Sequence, residues 1–499
     1  MPRNPVSSSS TISYEAPSFI VSSWRAIGFH DNALLSLSLF LLLLSTIDSG
    51  TLGSIVKLSW LISFAALCFV NIGAALSSYI GSLAIYSSLL YQGGASLLQR
   101  PDNAAVAILF VAMLLQVLHR QEPRPRFVIW ILAFLMFCFV HGAIYSPTQF
   151  PALVRDVVIP FLACALSAMI GYRERELNAL LNGLGIQGAY MGLVSILERI
   201  PHGTDWILPL WIGDPTLRPH DQFLEDWIGS GRSGGTLLQP AFSGLLLGLI
   251  FVLMILKGRI HKSKLVTISI ALCIAGAFFT YTRGVWLGFI MPFLWFPGWC
   301  ESKRQANVRR IALACSATVL LVAASGFASE RLQDGGTILY RLNLWGAGIR
   351  IFLSHPLVGI GFFNFGTALG GAQQGFGNLM PSFRDVEDGV ASHNTLLTVL
   401  VEFGLIGFGL FASTLLRIVK SAGATAERLV GSSGKTWVIA FVIAYLVNAQ
   451  FISAFEGTSN TTFYALLGVI AGAKAEEFSI RFIEAKPAAV ALVFADDRT

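Results

Sequence analysis

The sequence predicts an all-α, polytopic integral membrane protein of about fourteen transmembrane helices with two long outer loops. Three observations predict it. Hydrophobic residues make up 54% of the 499 and charged residues only 12%, where an ordinary soluble domain is about a quarter charged. Mean hydropathy is +0.67 over the whole chain, so the apolar excess is not one anchor on a soluble enzyme. Basic residues collect in alternate inter-helical segments, as the positive-inside rule requires. These features exclude a secreted disulfide scaffold and a disordered protein. The net charge of +6 reports orientation before it reports a partner, and nucleic acid is not implied.

In chain order, residues 1–32, with Ser7 to Ser10 in a row, lack a small-residue cleavage site and read as a mostly disordered cytoplasmic tail. Residues 33–197 form an N-terminal membrane bundle of about seven helices, because apolar windows approaching the span length of about 20 residues recur near 33–48, 55–72, 75–91, 104–118, 127–145, 151–171 and 178–197. Residues 198–236 are the first outer loop. Central membrane helices fill 237–327, with windows near 237–257, 265–282, 284–299 and 311–327. The second outer loop, 328–393, carries an amphipathic helix. C-terminal membrane helices occupy 394–473, with windows near 394–416, 436–453 and 458–473, and 474–499 is a cytoplasmic tail.

An inside N-terminus sends 119–126, 172–177, 257–264, 300–310, 417–435 and the C-terminal tail to the cytoplasm. Every lysine except Lys57 lies in these segments, and an error of one helix would reverse each later loop. The two long loops then lie outside, and their basic groups are all arginines. All six cysteines lie in or at the ends of spans, and no CxxC or HExxH pattern appears, so no metal or other cofactor is expected.

Four segments stand out. Gly231-Arg232-Ser233-Gly234-Gly235-Thr236 precedes a span; Arg gives a bidentate fork and glycines let backbone N–H groups approach, which suits a phosphate. A flexible turn with a snorkelling arginine is the alternative. Arg283, in Tyr281-Thr282-Arg283-Gly284, sits between two apolar runs, where an arginine costs about 2.5 to 3.5 kcal/mol on insertion scales unless partnered or hydrated. Snorkelling to headgroups competes with a functional role here too.

In the second loop, Ile338 to Leu353 is amphipathic, with Arg341 and Trp345 on one face. The run 359–383, glycine-rich with Phe362, Phe363, Phe365 and Phe376, reads as a floppy connector or as a lid able to stack on sugars. Lastly, His393-Asn394 opens the next span, followed by Glu402 and Gly404-Leu405-Ile406-Gly407. A neutral imidazole there suits proton acceptance near neutral pH, although a helix-capping role is the plainer use of such a histidine.

In combination, Arg232 in Gly-Arg-Ser-Gly-Gly-Thr, Tyr-Thr-Arg-Gly at 281–284, Gly359-x-Gly361, His393-Asn394 and Glu402-Phe-Gly-Leu-Ile-Gly407 resemble the bacterial O-antigen ligase and Wzy-type polysaccharide polymerase superfamily over roughly residues 230–475. The usual Ser-Arg-Gly reads Thr-Arg-Gly here. The resemblance implies a metal-independent glycosyltransferase of the bacterial inner membrane, with its active site and both long loops periplasmic. The donor would be an undecaprenyl diphosphate-linked glycan and the acceptor lipid A core or another glycan, among membrane lipids. It maps diphosphate binding onto Arg232 and Arg283 and the catalytic base onto His393, with Arg341, Trp345 and Asn394 as candidate substrate contacts. A polymerase shares the same motifs. A secondary transporter or flippase would instead show paired midplane ionisable residues and inverted repeats.

Overall fold

The computed structural model describes residues 31–44, 51–86, 101–200, 240–260, 263–280, 282, 284–286, 288, 336–373, 394–431, 433–449 and 458–474. Among these residues the structure is all-helical, with no strand. In chain order the helices are α1 (Asp31–Leu44), α2 (Thr51–Val70), α3 (Ile72–Tyr86), α4 (Pro101–Arg120) and α5 (Val128–Tyr145). Next comes α6, built from Phe150–Leu153, a π turn at Val154–Val158, and Ile159–Ile170. Then follow α7 (Glu174–Leu197), α8 (Pro240–Ile260), α9 (Lys264–Phe279), α10 (Gly336–Ser354), α11 (Phe365–Gln373), α12 (Thr395–Val430), α13 (Ser433–Ala449) and α14 (Thr458–Gly472).

Among the described residues, six stretches are long and apolar enough to cross a membrane: Gly53–Val70, Val128–Tyr145, Pro147–Ile170, Glu174–Leu197, Ala241–Gly258 and Thr395–Val430. Shorter apolar helices accompany them. The protein is an integral membrane protein whose described helices, apart from α10 and α11 in the expected second loop, fall on the apolar windows of the sequence. The window 311–327 and most of 284–299, of 198–236 and of both tails lie outside the described residues. One boundary differs clearly: the expected loop 417–435 is helical up to Val430. Helix α12 has 36 residues with a break at Gly404, and residues 405–430 alone run about 39 Å, outrunning a hydrocarbon core of about 30 Å. Its polar last turns continue the helix because nothing in them breaks it before Gly431 (φ 79°).

Contacts between distant residues define two ends of the bundle. At the basic end, the Arg120 guanidinium donates to both oxygens of Glu176 and to the carbonyls of Ile170 and Gly171. One side chain thus caps the last turn of α6 and pairs with the first turn of α7. Lys474 pairs with Glu122 nearby. At the opposite end, here the loop end, α5 finishes, α6, α8, α12 and α14 begin, and α9 and α13 finish.

Between the ends the core is a train of aromatic rings. Phe134 packs on Phe161 (centroids 4.9 Å), Phe161 on Tyr464 (4.4 Å), Tyr464 on Phe463 (5.1 Å) and Phe463 on Tyr445 (3.7 Å, 3° between planes). Small residues let helices close in around it. A Cβ on Gly192 of α7 would strike the Leu272 carbonyl of α9, the small-residue packing common where apolar burial gives helices no mutual attraction.

Candidate active site

Two sequence segments already singled out, Gly359-x-Gly361 and Glu402 to Gly407, turn out to be halves of one structure at the loop end. Helix α12 breaks at Gly404, whose φ of 64° and ψ of −170° lie in a region open essentially to glycine alone. The break frees main-chain groups, and residues 356–361 take them up. Ile360 donates to the carbonyl of Val401 (3.1 Å) and Gly361 to that of Glu402 (3.0 Å), while Leu405 and Ile406 donate to Pro356 (2.9 Å) and Leu357 (3.1 Å). Four backbone bonds thus splice the loop into the helix. The close approach leaves no room for a Cβ on Gly404, which would meet the Leu357 carbonyl.

Over residues 359–373 this splice corrects the expectation of a floppy connector, while 374–383, with Phe376, lie outside the described residues. Residues 359–361 are bonded, Phe362 is buried against Phe403 (centroids 6.0 Å), and α11 follows at once. Asn364 ties the start of α11 to α5, donating to the Tyr145 carbonyl and the Ser146 hydroxyl, both at 3.2 Å. Beneath the splice, His141 of α5 contacts the Val358 carbonyl through Nε2 at 2.7 Å; an oxygen that can only accept requires the hydrogen on Nε2. The splice fixes α10 over the end of the bundle through a small cluster of Leu344, Ile351, Phe365, Leu369 and Val401.

Close by, a second polar assembly sits where α6, α13 and α14 meet. Arg155 and Asp156 stand side by side on the π turn, and the guanidinium forks onto the carboxylate (Nε to Oδ1 2.7 Å, Nη2 to Oδ2 2.7 Å). Asp156 is buried and Arg155 exposed, at 2% and 60% of their side-chain surfaces. Asn460 of α14 donates to the Asp156 carbonyl (2.9 Å), and Tyr445 of α13 donates to Asn460 (2.6 Å). Asn448, also buried, lies where a Cβ on Gly288 would touch it. Sequence patterning alone does not single out this group or His141. The available signal is an adjacent charged pair inside an apolar window, which an average over about 20 residues conceals.

Of the residues the sequence nominates, Arg232, Arg283 and His393 lie outside the described residues, but Thr282 and Gly284 beside Arg283, Asn394 beside His393 and the helix that starts at Pro240 after Arg232 are described. The Thr282 carbonyl accepts from the amides of Val285 (2.9 Å) and Trp286 (3.3 Å), so a helical turn begins directly after Arg283. Val285 and Thr280 pack on Gly244 in the first turns of α8, the helix that Arg232 precedes. Asn394, next to His393, is the N-cap of α12, its side chain accepting from Leu397 N at 3.1 Å. The described residues beside Arg283 and His393 and the start of α8, the first described helix after Arg232, therefore lie at the same end of the bundle. Arg341 and Trp345 lie on α10, as the amphipathic pattern predicts. Trp345 packs on the small α10 cluster, and its indole Nε1 is buried with no partner among the described residues.

Among the described residues, no group of His, Cys, Asp and Glu could hold a metal ion. Residues 268–412 match the family model Wzy_C, O-antigen ligase, a segment that starts in α9, passes Arg283, α10, α11 and His393, and ends in α12 just past the splice. No curated protein matches the chain. The family resemblance drawn from the short motifs is thus borne out.

Proposed function

We propose, from the O-antigen ligase domain as premise, that this protein transfers a glycan from an undecaprenyl diphosphate carrier to an acceptor hydroxyl at the periplasmic face of the bacterial inner membrane. The observation that carries the reading is the family match over Arg283 to His393, supported by the loop-end position of Thr282, Val285 and Asn394 and of the start of α8, the first described helix after Arg232.

The chemistry asks for three things: neutralisation of a leaving diphosphate, alignment of an acceptor hydroxyl, and removal of its proton. A sugar on a diphosphate is already activated, so neither a nucleotide nor a metal is required. The acceptor oxygen attacks the anomeric carbon as the bond from that carbon to the diphosphate breaks, inverting the configuration. His393 takes the hydroxyl proton. Arg232 and Arg283 receive the diphosphate charge through bidentate forks, and Arg155, held in plane by Asp156, offers a third guanidinium at the same end. Trp345 and Arg341 on α10 supply an apolar face and a charge for the sugars.

Mass spectrometry of carrier-linked glycans in a deletion strain tests the reading. Accumulation of full-length polymer on undecaprenyl diphosphate is the outcome expected of a ligase, and single repeat units would mark a polymerase. Unchanged carrier-linked glycans would remove the proposal.

A further inference from the structure

We infer that Asn460 is a positioning residue for this reaction: with Tyr445 it clamps the π turn of α6 and so sets the direction in which the Arg155–Asp156 fork faces the loop end. The inference rests on the transfer reading above.

Begin with the sequence Val154-Arg155-Asp156-Val157-Val158-Ile159-Pro160. Pro160 has no N–H, so the Asp156 carbonyl four residues earlier lacks its regular helical donor. A π turn at Val154–Val158 accommodates the defect, and such turns recur at functional positions. The carbonyl lies in the packed interior, where an unmet acceptor is costly. Asn460, 2% exposed, meets it with Nδ2.

The amide orientation follows without choice. A carbonyl cannot donate, so Nδ2 must face Asp156 and Oδ1 must face Tyr445, whose hydroxyl then donates. The Tyr445 ring is itself held flat on Phe463 at 3.7 Å. Ring, hydroxyl, amide and carbonyl form one chain of fixed groups from α13 through α14 to α6.

Adhesion between α6 and α14 does not need this chain. Phe161 stacks on Tyr464, and Gly468 and Gly472 already seat against Cys164 and Ala168. What the polar chain adds is a definite orientation at residues 155 and 156, the one point on α6 where a buried carboxylate holds an exposed guanidinium.

The test uses the full-length protein in membranes of the deletion strain, which supply donor and acceptor, with release of undecaprenyl diphosphate as the rate. Asn460→Ala should lower kcat ten- to about a hundredfold, the scale of a misplaced group, with KM little changed. Tyr445→Phe, which keeps the ring stack, should lower it less and in the same direction. Combined with Arg155→Ala, Asn460→Ala should add no further loss, because both remove one function. Losses that multiply would overturn the inference, since Asn460 would then act independently of Arg155.

Hydrogen exchange gives a readout separate from transfer: amides at 154–159 should exchange faster in both clamp variants. Unchanged exchange there sinks the clamp while leaving the transfer reading standing. Absence of any transfer by the wild-type protein removes the reading, and the positioning role with it.

Discussion

Gly361 donates its main-chain N–H to the carbonyl of Glu402 at 3.0 Å, joining a loop to the helix that follows it just before that helix breaks. The bond exists because Gly404 turns the chain out of helical geometry, so Gly404→Ala should cost more than a helix glycine normally does. At φ 64° a Cβ is strained, and it would also strike the Leu357 carbonyl. A loss of about 2 to 4 kcal/mol is expected, from strain together with main-chain bonds broken. Gly409 lies in the same helix with nothing within 4 Å of an added Cβ, so Gly409→Ala should be neutral or stabilise by up to about 1 kcal/mol. Denaturation midpoints of the purified variants in detergent decide it; equal midpoints for the two would mean that the splice carries no stability.

Asp156→Asn keeps shape and volume but removes the charge that holds the Arg155 fork. Arg155 is exposed and can remain solvated, so the fold should survive with a stability change of about 1 to 2 kcal/mol. Transfer should nonetheless fall about tenfold or more, because a guanidinium without its in-plane carboxylate loses its direction. Arg155→Lys should behave alike, as the charge stays and the fork is lost. Full transfer by both variants at wild-type membrane levels would make the pair a local ion pair with no part in the reaction.

How legible these features are in the sequence follows from the kind of interaction that makes them. Apolar windows find α5 to α9 and α12 to α14 because one-residue hydropathy decides which stretches leave water. The Ile338 to Leu353 pattern finds α10 because a helix one turn long already separates its faces. The splice escapes because its bonds are main chain to main chain, and amides carry no side-chain signature; only the glycines at 359, 361 and 404 hint at it. The Tyr445–Asn460–Asp156 chain escapes for a different reason. Its members come from three helices, and each alone is an unremarked polar residue near a helix end. The arginines and His393 are legible as motif residues, but motif spacing says nothing of the distances among them.

The family-mapped roles separate in a binding experiment. Arg283→Lys keeps the charge and loses the bidentate fork, so retention of undecaprenyl diphosphate by the purified protein should weaken, and transfer with it. His393→Ala should leave that retention intact while lowering transfer by the 10²- to 10⁴-fold that a positioned base typically supplies. Should His393→Ala lose carrier lipid as severely as transfer, the histidine would be a phosphate ligand or a helix cap, and the base would have to be sought among Asp385, Glu387 and Asp388. Near-normal transfer by Arg283→Lys would reduce Arg283 to a topological anchor.

Orientation follows from charge and can be read in whole cells. The basic end carries Arg120, Arg173, Arg428, Lys435 and Lys474, which the positive-inside rule assigns to the cytoplasm, and the loop end carries α10 and α11. In a cysteine-free background, cysteines at Gln222 in the first long loop and at Gln373, the last residue of α11, should react with an impermeant thiol reagent before lysis. A cysteine at Arg124, exposed in the turn between α4 and α5, should react only after lysis. That three-site pattern is demanding, since α4 runs from the loop end to the basic end while α5 returns, and a single misplaced span between residues 120 and 373 would put Arg124 and Gln373 on one side. Labelling of Arg124→Cys in intact cells alongside Gln373→Cys would therefore break the topology, and with it the placement of the candidate site on the periplasmic face.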